Sequence, residues 1–255
     1  MRVRSGVLAA WTSAWLAGEA AYDDVVARVT GDDEPHRVTG LPGSDGETPL
    51  GETPLGWALP VLRERSPEGV RAALPVPGDP RGLPGPGPFA TAALAAGEAV
   101  VGRGIGLVPT ITSHGSVSDS TCTVLWTAYE LSEPAADPLT VPEAEHDLTT
   151  ATREAASALA ALDVASWRPE VADGLAKVRR GVTPDLPPGH DARAVRLLAS
   201  ADRLAAVLDL ARADAPGGAV NGTEARARDE ALRPLATAVR RARQAAYNAV
   251  PSRHR

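Results

Sequence analysis

Twelve of the 23 prolines fall between residues 35 and 88, and this clustering constrains the 255-residue chain more than any other feature. Each proline fixes its own φ and removes a backbone donor. The stretch therefore cannot be continuous helix or an inner strand. Regular structure there is confined to short pieces. Residues 56–65 (GWALPVLRER) read as a short helix despite Pro60, and residues 69–76 (GVRAALPV) as a strand or short helix running into Pro75. The repeat GETPLGETPLG over 46–56 is shorter than a solenoid unit and reads as a small duplication in a tolerant surface loop. Residues 77–88 (PGDPRGLPGPGP) are turn chemistry, and Pro88 suits the first position of a helix that stops at Gly97.

Before the proline stretch, Leu8, Trp11, Trp15, Gly18, Tyr22, Val25 and Val29 repeat at spacings of three and four. They predict one amphipathic helix over about 5–29, ending at Thr30-Gly31. Arg2 and Arg4 before an apolar run also resemble a signal peptide, but the pattern continues past any plausible cleavage point. After the proline stretch come β-branched segments at 99–101, 105–112 and 121–131. The last two flank the polar segment 113–120 and predict an antiparallel hairpin (105–131) with a long loop, in a sheet covered on both faces.

The texture then changes. A linker spans 134–142, and alanine fills close to a fifth of the whole chain. Thr140 and Glu143 form a capping box for a helix reaching about residue 165. Further helices are expected over about 169–180, from an Asp191 cap to 214, and from Thr223 to 250, with Pro234 kinking or breaking the last near Leu232. The predicted fold is α+β. Residues 1–133 place an N-terminal helix on a small antiparallel sheet, and residues 143–255 form an antiparallel helical bundle.

Charge separates the same two parts. The chain carries -6 overall; residues 1–133 hold 9 basic and 16 acidic groups, residues 134–255 hold 17 and 16. Of the basic residues only Lys177 is a lysine, so arginine is the cation this chain uses. The single cysteine, Cys122, forms no internal disulfide and suits a reducing, cytoplasmic setting. With five scattered histidines it also argues against a closed zinc site. No apolar run approaches the roughly 20 residues that cross a bilayer, and no membrane association is expected. The Asn221-Gly222-Thr223 sequon matters only in a secreted protein.

Complete chemical motifs are missing. Gly102-Arg103-Gly104-Ile105-Gly106 departs from the dinucleotide fingerprint and runs into a strand. Glu143–His146 offers one ExxH where a di-iron bundle needs two, so no metal and no cofactor is predicted. Three partial constellations remain. Asp79 and Arg81 lie in a Gly/Pro loop that feeds a helix start and could hold an anion. His114, Asp119 and Cys122 gather at the expected hairpin loop as weak catalytic candidates. Arg233, Arg240, Arg241 and Arg243 on the last helix could meet nucleic-acid phosphates.

Three functional readings follow. The first is a non-catalytic interaction or scaffold protein that binds a protein partner, or itself, through the helical half. The second is an accessory protein holding an anion or nucleic acid on its C-terminal arginines. The third is a small-ligand binder or enzyme with a site between loops 77–89 and 113–122.

Overall fold

The computed structural model describes residues 2–43, 51–116, 119–132, 139–161, 184–213 and 222–249. The first copy of the GETPL repeat, the helix expected over 169–180 and Asn221 of the sequon lie outside them. The chain forms two compact units, one of residues 2–138 and 185–190, the other of residues 139–184 and 191–249. None of the helices described is long and apolar enough to cross a membrane.

In the first unit, α1 (Arg4–Leu16) and α2 (Tyr22–Thr30) replace the single helix expected over 5–29. The break is a Schellman motif. Gly18 takes φ 77 and donates to Trp15 C=O, while Glu19 donates to Ala14 C=O. The stripe repeat ran across this junction because Gly18 counted as one of its small apolar positions. Nor is α1 amphipathic. Every residue from Arg4 to Thr12 is buried, so it is a central helix and not a surface one. Farther on, α3 (Ala58–Arg65) tolerates Pro60 because a first-turn amide has no helical partner to lose. α4 (Pro88–Ala96) begins on Pro88 and is closed by Gly97 at φ 75, as its sequence predicts.

Six short or long strands complete the unit among the described residues: β1 (Arg37–Thr39), β2 (Glu52–Pro54), β3 (Arg71–Ala73), β4 (Ala99–Val101), β5 (Ile105–Ser116) and β6 (Asp119–Glu130). Their order is β2-β1-β6-β5-β4-β3. Only the β1–β6 pair is parallel, with Val38 beside Trp126. One face of the sheet carries Ala72, Val100, Leu107, Val124 and Trp126, all buried, and α1 packs along its β3–β5 end. The other face at that end carries Ala73, Ala99, Val101 and Val108, covered by Phe89, Ala90 and Ala93 of α4 and by Leu83. Gly106 makes this possible: a Cβ there would run into the Phe89 ring, which stands edge-on to Tyr129 at 5.8 Å.

The expected long hairpin loop is absent. β5 and β6 stay paired out to Ser116 and Asp119, so most of the polar segment 113–120 is strand. Ser113, His114 and Gly115 there occupy exposed strand positions, and polarity alone did not mark a turn.

In the second unit, α5 (Val141–Ala161) and α6 (Ala192–Ala213) both pack on α7 (Gly222–Tyr247). The capping box forms: Thr140 N–H and Oγ1–H donate to Glu143 Oε2 at 2.9 and 2.6 Å. Asp191 Oδ1 accepts from Ala194 N–H at 2.8 Å and caps α6. α7 continues through Pro234, so of the kink or break expected near Leu232 the break does not occur. The buried set is Ala144, Leu148, Leu197, Leu198, Leu208, Leu235, Val239 and a row of alanines.

Candidate functional site

The described residues offer two polar constellations, one that the sequence did not suggest and one that takes in Arg233 and Arg241 of the candidate arginines. The first is buried in the sheet unit. Arg4 donates twice to Asp33, from Nε at 2.6 Å and Nη2 at 2.7 Å. His36 Nε2 lies 3.2 Å from Asp33 Oδ2, and Trp126 Nε1–H donates to His36 Nδ1 at 3.2 Å. The indole donor leaves Nδ1 without a proton, so His36 is neutral with its proton on Nε2.

Charge follows from this geometry. Burial holds His36 below its ordinary value of 6.5, despite the pull of Asp33. Burial also opposes the charge of Asp33, but the hydrogen bonds from Arg4 and His36 outweigh it and keep its carboxyl below the usual range. The hydrogen bond from Arg4 to Asp33 in turn raises the guanidinium pKa. Nearby, Glu98 accepts from Ser5 N–H and Ser5 Oγ–H, both at 2.8 Å. It serves as a distant cap for α1, whose own N-cap residue Val3 has no capping side chain. Burial pushes the Glu98 carboxyl up. Sequence reasoning missed this network because Arg4 stood out only as a charge before an apolar run, and Asp33 and His36 follow the expected helix end at Gly31 with no motif to join them to it.

An Asp–His pair can orient a nucleophile when one imidazole nitrogen faces the reacting atom. Here that nitrogen is occupied by an indole. The arrangement closes a structure and leaves no open base.

The second constellation is open. A cleft of about 430 Å³ runs between α5 and α7. Its floor is Ala151 and Ala238, both buried. Small residues facing the cleft leave room that leucine would fill. The α5 wall carries Asp147 and Glu154, and the α7 wall carries Arg233 and Arg241, with His146, Thr150 and Thr237 between. At 1.5 Å rise per residue the carboxylates stand about 10 Å apart along α5 and the guanidiniums about 12 Å apart along α7. One wall is anionic and the other cationic. The ExxH of α5 is otherwise engaged, with Glu143 on Thr140 and Glu145 on Arg193 at 2.6 Å.

Arg81 pairs with Asp79 at 3.4 Å within their own loop. Leu83 of that loop packs in the cluster containing Val108, whereas His114 lies six residues farther along β5, about 20 Å at strand rise. The 77–89 loop and the hairpin end are thus not brought together. His114 is opposite Thr121, and Cys122 is opposite Ser113 with Oγ and Sγ 3.6 Å apart. Alternation puts His114 and Cys122 on opposite faces of the hairpin, so they form no dyad. Asp119 is opposite Ser116 in the register. Arg233 and Arg241 line the cleft, Arg240 neighbours it in sequence, and Arg243 holds Asp202 at 2.7 Å. No group of three or more His, Cys, Asp or Glu residues able to hold a metal ion occurs among the described residues.

Comparison with known proteins covers nearly the whole chain. Residues 5–141 match the model of the Rv1486c-like protein, N-terminal domain, and residues 142–244 that of the Rv1486c-like protein, C-terminal domain. The chain is 34% identical to the uncharacterized protein Rv1486c of Mycobacterium tuberculosis strain H37Rv over 95% of each chain. It is 31% identical to the uncharacterized protein MAV321 of Mycobacterium avium and 30% identical to the uncharacterized protein ML1804 of Mycobacterium leprae, again over 95% of each chain. No solved structure matches it.

Proposed function

The chain belongs to the Rv1486c-like family, and from that premise we propose that it is a non-catalytic interaction protein whose helical half receives a partner protein. The observation that carries this reading is the two-signed cleft between α5 and α7. A catalytic pocket gathers a few groups around one reacting atom. This cleft instead spreads opposite charges along two parallel rims, which suits a polypeptide segment carrying both signs. Acidic side chains of that segment would face Arg233 and Arg241, and basic ones Asp147 and Glu154. The closed state of Asp33–His36 supports the non-catalytic part of the reading. A cytoplasmic setting accords with the lone thiol of Cys122.

The anion reading stays as the alternative because Arg233 and Arg241 share one rim. It is the weaker one, since two carboxylates face them across the cleft.

The test is a photo-crosslinking residue placed at Thr237 in the native cell. We expect one saturable protein adduct, lost when Arg233 and Arg241 are changed to Glu and lost equally when Asp147 and Glu154 are changed to Lys. An adduct that survives both reversals would remove the cleft from the function. An adduct that gains strength when the two carboxylates are reversed would favour the anion reading.

A further inference from the structure

The buried histidine of the sheet unit sits at the least secured joint of the sheet. β1 meets β6 in a parallel pairing of three residues, Arg37–Thr39 beside Leu125–Thr127. On its other side β6 runs against β5 through all twelve of its residues. β2 lies at the end of the sheet and pairs with β1. The residue after it, Leu55, donates its N–H to His36 C=O at 2.9 Å. β1 and β2 thus form a ribbon that joins the rest of the sheet at β6. Two further hydrogen bonds cross that joint. Trp126 Nε1–H donates to His36 Nδ1 at 3.2 Å, and Glu34 N–H donates to Cys122 C=O at 2.9 Å. Both the indole and the imidazole are shut off from solvent.

The Trp126 bond exists only with a neutral ring. In imidazolium both nitrogens carry protons, and an indole nitrogen can only donate. Protonation in place would set two N–H groups against each other, with no water to take either. The surrounding charges do not offset this. Asp33, on the ring's own segment, attracts an imidazolium from 3.2 Å but already accepts two bonds from Arg4 of α1. Arg4 and Arg2 repel it. Glu98 is held by Ser5 of α1, and Arg37 is held by Glu52 of β2 at 3.1 Å. β6 carries no charged residue from Thr121 to Ala128, and the Cys122 thiol is its one titratable group there. The closed joint therefore accepts the neutral ring alone, whereas a ring in water takes a proton near 6.5. We propose that His36 is an acid latch: a proton taken from solvent onto Nδ1 holds β1, with β2 still paired to it, away from β6, while β6 stays on β5. Because the closed ring is buried, opening comes first and acid traps the open state. That state exposes the Trp126 indole and the backbone of β6 that β1 covers at neutral pH.

The test is hydrogen exchange of the full chain by NMR from about pH 7.5 to about pH 4.5, corrected for the intrinsic pH dependence of exchange. The Glu34 amide and the Trp126 indole N–H should lose protection together below 6.5, by up to about tenfold per pH unit, the slope of one proton taken up on opening. The Leu55 amide, which stays within the β1–β2 ribbon, and the amides between β5 and β6 should keep theirs. His36→Gln, which can hold both side-chain bonds without titrating, should remove the response. Trp126→Phe removes the opposing donor, so the ring should take its proton in place and the Glu34 amide should no longer respond to acid. Four results would each overturn the latch: no change at Glu34 and Trp126 down to about pH 4.5, a loss spread evenly over β5 and β6, a response that survives His36→Gln, or one that survives Trp126→Phe.

Discussion

The two units handle charge in opposite ways. In the sheet unit, Arg4, Asp33, His36 and Glu98 are buried or nearly so and bonded to one another, to Ser5 or to Trp126. In the helical unit, Asp147, Glu154, Arg233 and Arg241 stand along an open cleft over alanine. The difference teaches where to look for function. Polar groups taken out of water must be satisfied by the fold, because each one left unpaired costs free energy. Polar groups at a rim keep their contact with water, so they cost the fold little. The sheet unit thus resembles a catalytic centre only in its residue types, and the helical unit resembles a binding surface in its geometry.

The contrast breaks most sharply at the ion pairs. Asp33→Ala leaves Arg4 buried without its partner and should cost about 3–5 kcal/mol of unfolding free energy. Arg243→Met removes the partly exposed pair with Asp202 and should cost no more than about 1 kcal/mol. Urea denaturation of both variants checks this, and equal losses would erase the distinction. Next in size, Gly106→Ala forces the added methyl against Phe89 and should cost about 1–3 kcal/mol, read as a lower melting temperature.

Acid should act mainly on the sheet unit. The folded value of His36 is below its unfolded value of 6.5, so the unfolded chain takes the proton first as pH falls. The stability associated with His36 is full above pH 6.5 and is lost as pH falls through the folded value. His36→Gln can keep both hydrogen bonds without titrating, and should flatten this loss. Glu98 has the opposite sign: its raised value means stability fullest below 4.5 and lost as pH rises through the folded value. Glu98→Gln should therefore change the profile on its alkaline side. The smallest effect lies in the helical unit, where Thr140→Ala removes the capping box and should cost about 1 kcal/mol, visible as reduced helicity and a slightly lower midpoint.

Much of the fold was legible, and the reason differs by region. The capping box at Thr140, the Asp191 cap and the Pro88–Gly97 helix rest on local chemistry, which adjacent residues dictate whatever surrounds them. The break at Gly18 was hidden because glycine fits a helical stripe as a small residue and a Schellman motif as a left-handed one. The extension of β5 and β6 through 113–120 was hidden because exposed strand and polar turn share residue types. The Arg4–Asp33–His36–Trp126 network could not be read at all. Its members come from three separate segments, around residue 4, residues 33–36 and residue 126, which only the tertiary fold brings together. The cleft was half legible: the arginine bias of the last helix was plain, but the carboxylates facing it belong to α5, some 90 residues earlier.

The proposed function rests on the Asp33–His36 pair being a closed structural element. Nitrogen-15 NMR of the His36 imidazole tests it most directly, because the two ring nitrogens report their protons separately. The account predicts a single neutral tautomer, protonated on Nε2 and bare on Nδ1, that persists as pH falls through 6.5. Averaged tautomers, or a titration at or above 6.5, would mean that Nδ1 is open to solvent and available for proton transfer, and would contradict it.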